Sequence, residues 1–421
     1  MLLLRASQYH RFLSDFGMRV LFVRPGPVPP PSDAQRDEFY HYPSELCGDI
    51  LQHTWAKQPG DLSLPLTSGR YPKYTVGNFT YHLFLGGAGV SNVIAVKLKD
   101  LWFYVREGLR LSRKQKYDCV AVYGWTLTGF AALIVARLTR SKLVVSVPNI
   151  PENAYRFNPF GDTFGNPKGR LVARVARRFS DMMLHIVLRR ADCVRLYYPD
   201  QLKAYPKLAN VPTFVTHNFV TMSQIPVTGV SDGSVLLVGA PWYVKGVDIL
   251  IKAFRTIEAD FPGARLRVLG HYPGQDFKDL IGDSRQIEVL SARGHIETMK
   301  IMANCSILVL ASRTEALGKV LLEAGAAGKP VIAPKVGGVP YYIQDGVNGL
   351  LFERENVADL AQQLCRLLSS PQLQAELGKN GMEIARSRYN EAEFGRKFLE
   401  AVELAVKGKQ REPALTAADL R

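Results

Sequence analysis

The segment RTEALGKVLLEAGAAGKPVIAPKVGG carries two glutamates, Glu315 and Glu323, with seven residues between them, a lysine at position 319 and a glycine pair at Gly337 and Gly338. Glu315 follows the apolar run ILVLAS from Ile307, which reads as a strand, so it is expected in the loop before a helix that opens near Leu317. Glu323 then falls about two turns inside that helix, roughly 10 Å farther along at about 1.5 Å per residue. A ligand lying along this helix meets one carboxylate at each end. Between them stand the unpaired N–H groups of a helix start, which favour negative charge. A nucleotide-sugar has that pattern: sugar hydroxyls at one carboxylate, a diphosphate in the middle, ribose hydroxyls at the other.

The elements that must hold these groups repeat a strand, turn and helix cycle. RVLFVR from Arg19, CVAVY from Cys119, KLVVSV from Lys142 and TFVT from Thr213 read as strands of a first series. VLLVG from Val235 restarts the pattern, with helices expected over 247–258, 317–327 and 356–368. Residues 221–233, TMSQIPVTGVSDG, are rich in Thr, Ser, Pro and Gly and form the linker candidate. Such alternation implies parallel sheets covered on both faces, with ligands beyond the carboxyl ends of the strands. The fold class expected is therefore α/β, with two doubly wound, Rossmann-like halves facing across a cleft.

The ordered set VLLVGAPWYVKGVDILIKAF, VLGH, the strand before Glu315, GKPVIA, Gly337-Gly338 and DGVNGLLF resembles the retaining glycosyltransferases of family 4 over roughly residues 234–352. The resemblance implies the GT-B architecture: an acceptor-binding first domain over 1–222, with 1–17 as an extension, and a donor-binding second domain over 223–421. A final helix near 391–406 would cross back to the first domain. It further implies sugar transfer from a nucleoside-diphosphate sugar to a hydroxyl of a glycan or lipid-linked acceptor. The anomeric configuration is retained, and neither an obligatory metal nor a cofactor besides the donor is required. Lys245, in VKGVD, matches the family's diphosphate lysine. Glu315 and Lys245 take the catalytic places, while Glu323, Gly318, Gly337 and Gly338 take donor-binding ones, the glycines by backbone N–H groups.

Three departures accompany the match. Ala240 stands where the family has an arginine, and Lys319, in the first turn of the donor helix, is expected to stand in for it. Pro148-Asn149-Ile150-Pro151 replaces the family's histidine after KLVVSV. PGPVPPP replaces the glycine-rich loop after the first strand, and GGAG at 86–89 reads as a turn rather than a substitute. His217, after TFVT, reads as a structural histidine. These departures motivate an alternative: a GT-B protein that has lost turnover and acts as a glycan-binding or regulatory partner.

Five scattered cysteines with no Cys-x-x-Cys point to a reducing, cytoplasmic compartment and to neither disulfides nor a zinc site. The uncharged run from Cys119 to Ala136 reaches the lower limit for a membrane span, but Gly124 and Gly129 punctuate it as strand, turn and helix. Charge is unevenly shared: residues 1–220 carry +14 and the remainder +1. In GRLVARVARRFSDMMLHIVLRR, helical spacing puts Val172, Val175, Phe179, Met182 and Ile186 on one side, with Arg170, Arg174, Arg177, Arg178 and Arg189 on the other. This basic half is expected to touch an anionic membrane peripherally or a polyanionic acceptor. No nucleic-acid module accompanies the charge.

Overall fold

Short runs of β-branched and aliphatic residues make the interior strands. In the computed structural model, whose described residues are 17–24, 45–54, 71–85, 93–124, 126–147, 178–179, 181–204, 211–226, 231–272, 275–282 and 284–408, these runs assemble into two sheets. The first has the order β3-β4-β2-β1-β5-β6-β7-β8. Its strands are β1 Met18–Arg24, β2 Leu46–Thr54, β3 Lys73–Val76, β4 Phe79–Leu85, β5 Cys119–Tyr123, β6 Lys142–Ser146, β7 Cys193–Leu196 and β8 Thr213–Val215. Only the β3–β4 pair is antiparallel. The second sheet, all parallel, runs β11-β10-β9-β12-β13-β14. It comprises β9 Ser234–Val238, β10 Arg265–Gly270, β11 Ile287–Ser291, β12 Ile307–Val309, β13 Val331–Pro334 and β14 Leu350–Phe352.

Parallel sheets must be covered on both faces, and both are. One face of the first sheet carries α1 Val93–Ser112, α2 Leu127–Thr139 and α3 (residues 181–188), which share a core with Leu21, Val120 and Val145. On the second sheet, α4 Val247–Arg255, α5 Gln275–Ile281 and α9 Val357–Leu368 pack on one side. The other side holds α6 His295–Asn304, α7 Lys319–Ala326, α8 Val339–Tyr342 and α10 Pro371–Arg388. The last helix, α11 Glu391–Lys407, returns to the remaining face of the first sheet. There the Phe398 ring lies 5.4 Å from Phe22, and Phe394 lies 4.6 Å from Phe219.

One expectation holds and three are refined. The run from Cys119 to Ala136 divides into β5 and α2, and among the described residues no helix is long and apolar enough to cross a membrane. The helix expected near Leu317 starts at Lys319, because Gly318 holds a left-handed φ of 83° that interrupts helical winding. Glu323 is therefore only just over one turn inside it. The start of the linker candidate is not free: the Met222 amide donates to Glu391 Oε1 at 2.9 Å and the Val220 amide to Tyr389 O at 2.9 Å. The outgoing and returning crossovers are thus stitched together.

The basic helix also turns differently from its sequence pattern. Met183, Leu184, Val187 and Leu188 face the core, while Phe179 and Met182 are exposed. Residues three and four apart can line up on more than one side of a helix. The core selects the side whose Val187 fits beside Gly129 of α2. Arg178 and Arg189 are exposed as expected, while Arg170, Arg174 and Arg177 lie outside the described residues, as do PGPVPPP, GGAG and Pro148 to Pro151.

Phe398 is fully enclosed between the sheet and α11. Phe398→Ala should cost about 3 to 5 kcal/mol, the usual range for truncating a buried phenylalanine. Urea unfolding measures it. A loss below about 1 kcal/mol would show that α11 does not hold the first sheet.

Candidate functional site

In the second sheet, β9 has β10 on one side and β12 on the other, so the winding reverses between β9 and β12. Such a reversal opens a crevice at the carboxyl ends of the two strands. The loop after β9 brings Lys245 to it and the loop after β12 brings Glu315; Lys245 Nζ lies 2.8 Å from Glu315 Oε2. Ser312 Oγ donates to the same oxygen at 3.4 Å. The backbones approach so closely that only glycine fits. A β-carbon on Gly246 (φ 65°) would stand 1.9 Å from the Ala311 carbonyl oxygen, and one on Gly337 (φ 53°) 1.8 Å from that of Glu315.

Arg313 clamps the loop that carries Lys245. Its guanidinium donates to both Asp248 carboxylate oxygens, at 2.8 and 2.7 Å, and its Nε to Glu355 at 2.8 Å. It also lies 3.9 Å over the Tyr243 ring, and its own amide donates to the Val244 carbonyl at 2.9 Å. Burial opposes the charge, but Asp248 and Glu355 outweigh it and hold the group above its ordinary pKa. A planar fork matched to a carboxylate fixes direction as well as distance.

Glu323, on α7, lines a recess of about 140 Å³ with Lys319, His295, Thr221 and Gln224. Lys319 Nζ and His295 Nδ1 each stand 3.9 Å from Glu323 Oε1. Burial pushes the Glu323 carboxyl above its ordinary pKa, against the opposing pull of Lys319. The two lysines thus serve different carboxylates: Lys245 meets Glu315, and Lys319 leans along its own helix toward Glu323. Between the carboxylates, the amides of Gly318, Lys319 and Val320 are given to no backbone acceptor among the described residues.

Gly338 does not join that set of open amides. Its N–H already donates to the Ala316 carbonyl at 2.6 Å, so it cannot also cradle a phosphate. Its missing side chain serves packing instead, since a β-carbon there would fall 2.9 Å from the Tyr198 ring of the first half. Tyr198 also stacks on Tyr341 at 5.9 Å. Gly337 stays at the site as the residue that lets its loop pass under Glu315.

In the first half, the carboxyl end of β2 holds buried Gln52, His53 and Thr54, with Gln52 Nε2, His53 Nε2 and Thr54 Oγ1 without a hydrogen-bond partner among the described residues. His53 Nδ1 is 2.7 Å from Asp100 Oδ1. His217 is buried with Nδ1 3.0 Å from the Tyr197 carbonyl, and burial lowers its pKa to about 4, so it is neutral at pH 7. Its Nε2 has no partner among the described residues, which leaves the structural role read from sequence half satisfied there.

Residues 226–384 match the family described as glycosyl transferases group 1. That segment is similar to the group 1 glycosyltransferases, and the match covers 159 of the 421 residues. Over 156 residues it is 37% identical to an uncharacterized glycosyltransferase of Methanocaldococcus jannaschii, a match covering 36% of this chain and 42% of that one. It is 32% identical over 156 residues to the D-inositol 3-phosphate glycosyltransferase of Actinosynnema mirum, covering 34% and 37%. The chain therefore spans less than half the length of these curated relatives in its matches. The fold likeness extends over both halves. Sucrose-phosphate synthase from Thermosynechococcus elongatus superposes with a TM-score of 0.70 at 17% identity, covering 93% of this chain and all of that one. HepE of Anabaena, solved with UDP-glucose, gives 0.64 at 18% identity, covering 92% and 99%. The architecture is GT-B, as the group 1 resemblance implied.

Sequence reasoning found Lys245, Glu315, Glu323 and Lys319, but not Arg313, Asp248 or His295. Arg313 stands inside the quoted segment, yet a lone arginine before a loop reads as solvated until Asp248 is folded against it. Replacing it tests the clamp. Arg313→Met leaves the Asp248 carboxylate buried without its partner and should cost about 3 to 5 kcal/mol. Thermal or urea unfolding checks this, and a loss within about 0.5 kcal/mol, the size expected of a surface substitution, would show that the pair is not a clamp.

Proposed function

We propose that this chain is a retaining glycosyltransferase that moves a sugar from a nucleoside-diphosphate sugar to a hydroxyl of a glycan or lipid-linked acceptor in cell-surface polysaccharide biosynthesis. The observation that carries it is the Lys245–Glu315 pair at the β9–β12 switch point, with Glu323 in a recess one helical turn beyond the open amides. Lys245 and the amides of Gly318 to Val320 receive the diphosphate, Glu323 the ribose hydroxyls and Glu315 the sugar. Before donor arrives, Lys245 and Glu315 neutralise each other. An incoming diphosphate draws the ammonium to itself and frees Glu315 to accept sugar hydroxyls.

In a front-face transfer with retention, the acceptor hydroxyl attacks from the leaving-group side, its bond to the anomeric carbon forms as the bond to the diphosphate breaks, and a diphosphate oxygen takes its proton. The protein then supplies position and charge stabilisation rather than a general base. The polar groups at the end of β2 that have no partner among the described residues suit a hydroxylated acceptor. HepE was solved with UDP-glucose, so UDP-sugars are the first donors to test. Ala240, in place of an arginine, favours the second reading of a binding protein without turnover; hydrolysis or transfer from any nucleotide-sugar would exclude it.

Glu323→Gln should weaken UDP binding by about 1.5 to 3 kcal/mol, roughly 10- to 100-fold, because the ribose loses a charged acceptor. Glu315→Gln should spare UDP affinity and reduce transfer. The raised pKa of Glu323 sets the pH behaviour. The carboxylate that accepts the ribose is lost on acidification while ordinary carboxyls are still ionised, so wild-type affinity falls as pH drops through that range and the Gln variant's does not. For the free protein the sign is opposite. Protonation favours the fold, so this group's contribution is full below pH 4.5 and lost as pH rises through the raised value. Glu323→Gln should therefore melt at or above the wild-type temperature at neutral pH without UDP. Equal UDP affinity in the two proteins would sink the ribose assignment.

The lysines make a separate test. Lys245→Ala should slow transfer severely. If Lys319 also reaches the diphosphate, Lys319→Ala should slow it too, and the double variant should lose less than the sum of the two effects through their shared ligand. Full activity in Lys319→Ala would return that residue to a solvated pair with Glu323.

A further inference from the structure

The helical layer of α1, α2 and α3 turns an unusual surface to solvent. Leu98 and Trp102 of α1, Leu138 of α2, and Phe179 and Met182 at α3 are all exposed, Leu138 by 65% and Leu98 by 56%. Cations surround them: Lys99, Arg106, Arg113, Lys114 and Lys116 along and just after α1, Arg137 and Arg140 at the end of α2, and Arg178, Arg189 and Arg190 at α3. On the three helices only Asp181, half-buried on α3, stands beside them; the other acids turn inward. Asp100 and Glu107, the only two on α1, are buried, and α2 has none. The three helices pack side by side, with Arg137 donating to the Arg190 carbonyl at 3.1 Å, so the residues form one face. The Arg106 guanidinium sits 4.7 Å over the Trp102 ring, which joins an apolar body to a cation at one spot. Between the ends of α1 and α2 lies a cleft of about 370 Å³ with Arg113, Lys116 and Ser112 on its wall and Leu138 at its edge.

We propose that this face docks the protein reversibly on an anionic lipid bilayer, with Arg113 and Lys116 receiving a lipid phosphate and Trp102, Leu98 and Leu138 entering the headgroup region. The pairing of cations with exposed apolar side chains decides the occupant. A soluble polyanion or nucleic acid uses the charge and leaves the leucines and Trp102 without a role, whereas a bilayer uses both. Helix α1 is 20 residues long and starts at the carboxyl-end side of the sheet, so it runs about 30 Å from the rim of the cleft across the docked face. The proposal goes beyond the donor chemistry and does not depend on it.

The test is flotation of the full chain with vesicles of phosphatidylglycerol mixed into phosphatidylcholine, against phosphatidylcholine alone. Wild type should float only with the anionic vesicles at about 0.1 M salt and be released near 1 M, as screening shortens the Debye length from about 10 to 3 Å. Reversing Arg106, Arg113 and Lys116 to Glu should weaken binding about a hundredfold, at roughly fivefold for each lost cation. The pair Leu98→Ser and Trp102→Ser should also weaken it, about tenfold or more. UDP-induced stabilisation, measured on every variant, reports an intact fold and a donor site that stands or falls separately. Wild type remaining unbound at low salt overturns the proposal, as does a triple variant that floats like wild type. Wild-type vesicle binding by the Leu98/Trp102 pair also overturns it and points to a soluble polyanion. A solution dimer broken by that same pair would assign the face to a second copy of the chain. Should a variant fail to melt cooperatively, the wild-type comparison of neutral with anionic vesicles across the salt range still decides.

Discussion

The loop after β9 meets the loop after β12 at Gly246, where no β-carbon fits against the Ala311 carbonyl, and the rest of the site is built on that approach. It brings Lys245 onto Glu315, and it lets the Arg313 amide reach Val244. The Lys245–Glu315 pair is only partly buried, so it adds little to stability. Arg313 with Asp248 is buried and bidentate, and there the cost of desolvation is offset by geometry that specifies one loop position. Two neighbouring ion pairs thus differ in kind: a buried one that fixes the loop and a partly exposed one at the crevice.

The two halves meet through a small set of contacts that depend on the same loops. Tyr198 rests on Gly338 and Tyr341, while Gly338 bonds to Ala316, the residue after Glu315. Any movement of the first half about the paired crossovers at Met222 and Glu391 therefore bears on the backbone that carries Glu315. The crossovers are joined at Met222, and α11 ties them to the first sheet by burying Phe394 and Phe398 against it.

What could be read from the sequence divides along burial. Strands such as CVAVY and VLLVG are apolar because both faces are covered, and their order announced the two sheets. By contrast β2, LCGDILQHT, was missed because Asp49, Gln52, His53 and Thr54 are polar yet buried, Asp49 against His82 and Tyr117 and Gln52 against Arg24. The basic helix was given the wrong face for a related reason: spacing offers several faces, and only contact with α2 chooses one. Glu315, Glu323 and Lys245 were legible as types at fixed spacing. Arg313, paired with an aspartate 65 residues earlier, was not, since no local pattern encodes that meeting.

The buried polar groups of the first half also explain its outer charge. His82 lies 2.6 Å from Asp49 and 3.5 Å from Glu107. Despite burial, its two carboxylate neighbours raise the imidazole pKa, while Arg110 and His82 draw Glu107 down to about 2 against its own burial. Glu107's contribution to stability is present above pH 4.5 and lost as pH falls toward about 2. That of His82 is present below 6.5 and lost as pH rises through its raised value. The triad is therefore fully charged, and most favourable to the fold, between these limits. To form it, α1 turns its acids inward and leaves its cations in water. Segregating charge in this way carries a desolvation cost that a surface ion pair would avoid, and what it produces is a helix whose outer side is basic and apolar with no acid to oppose it.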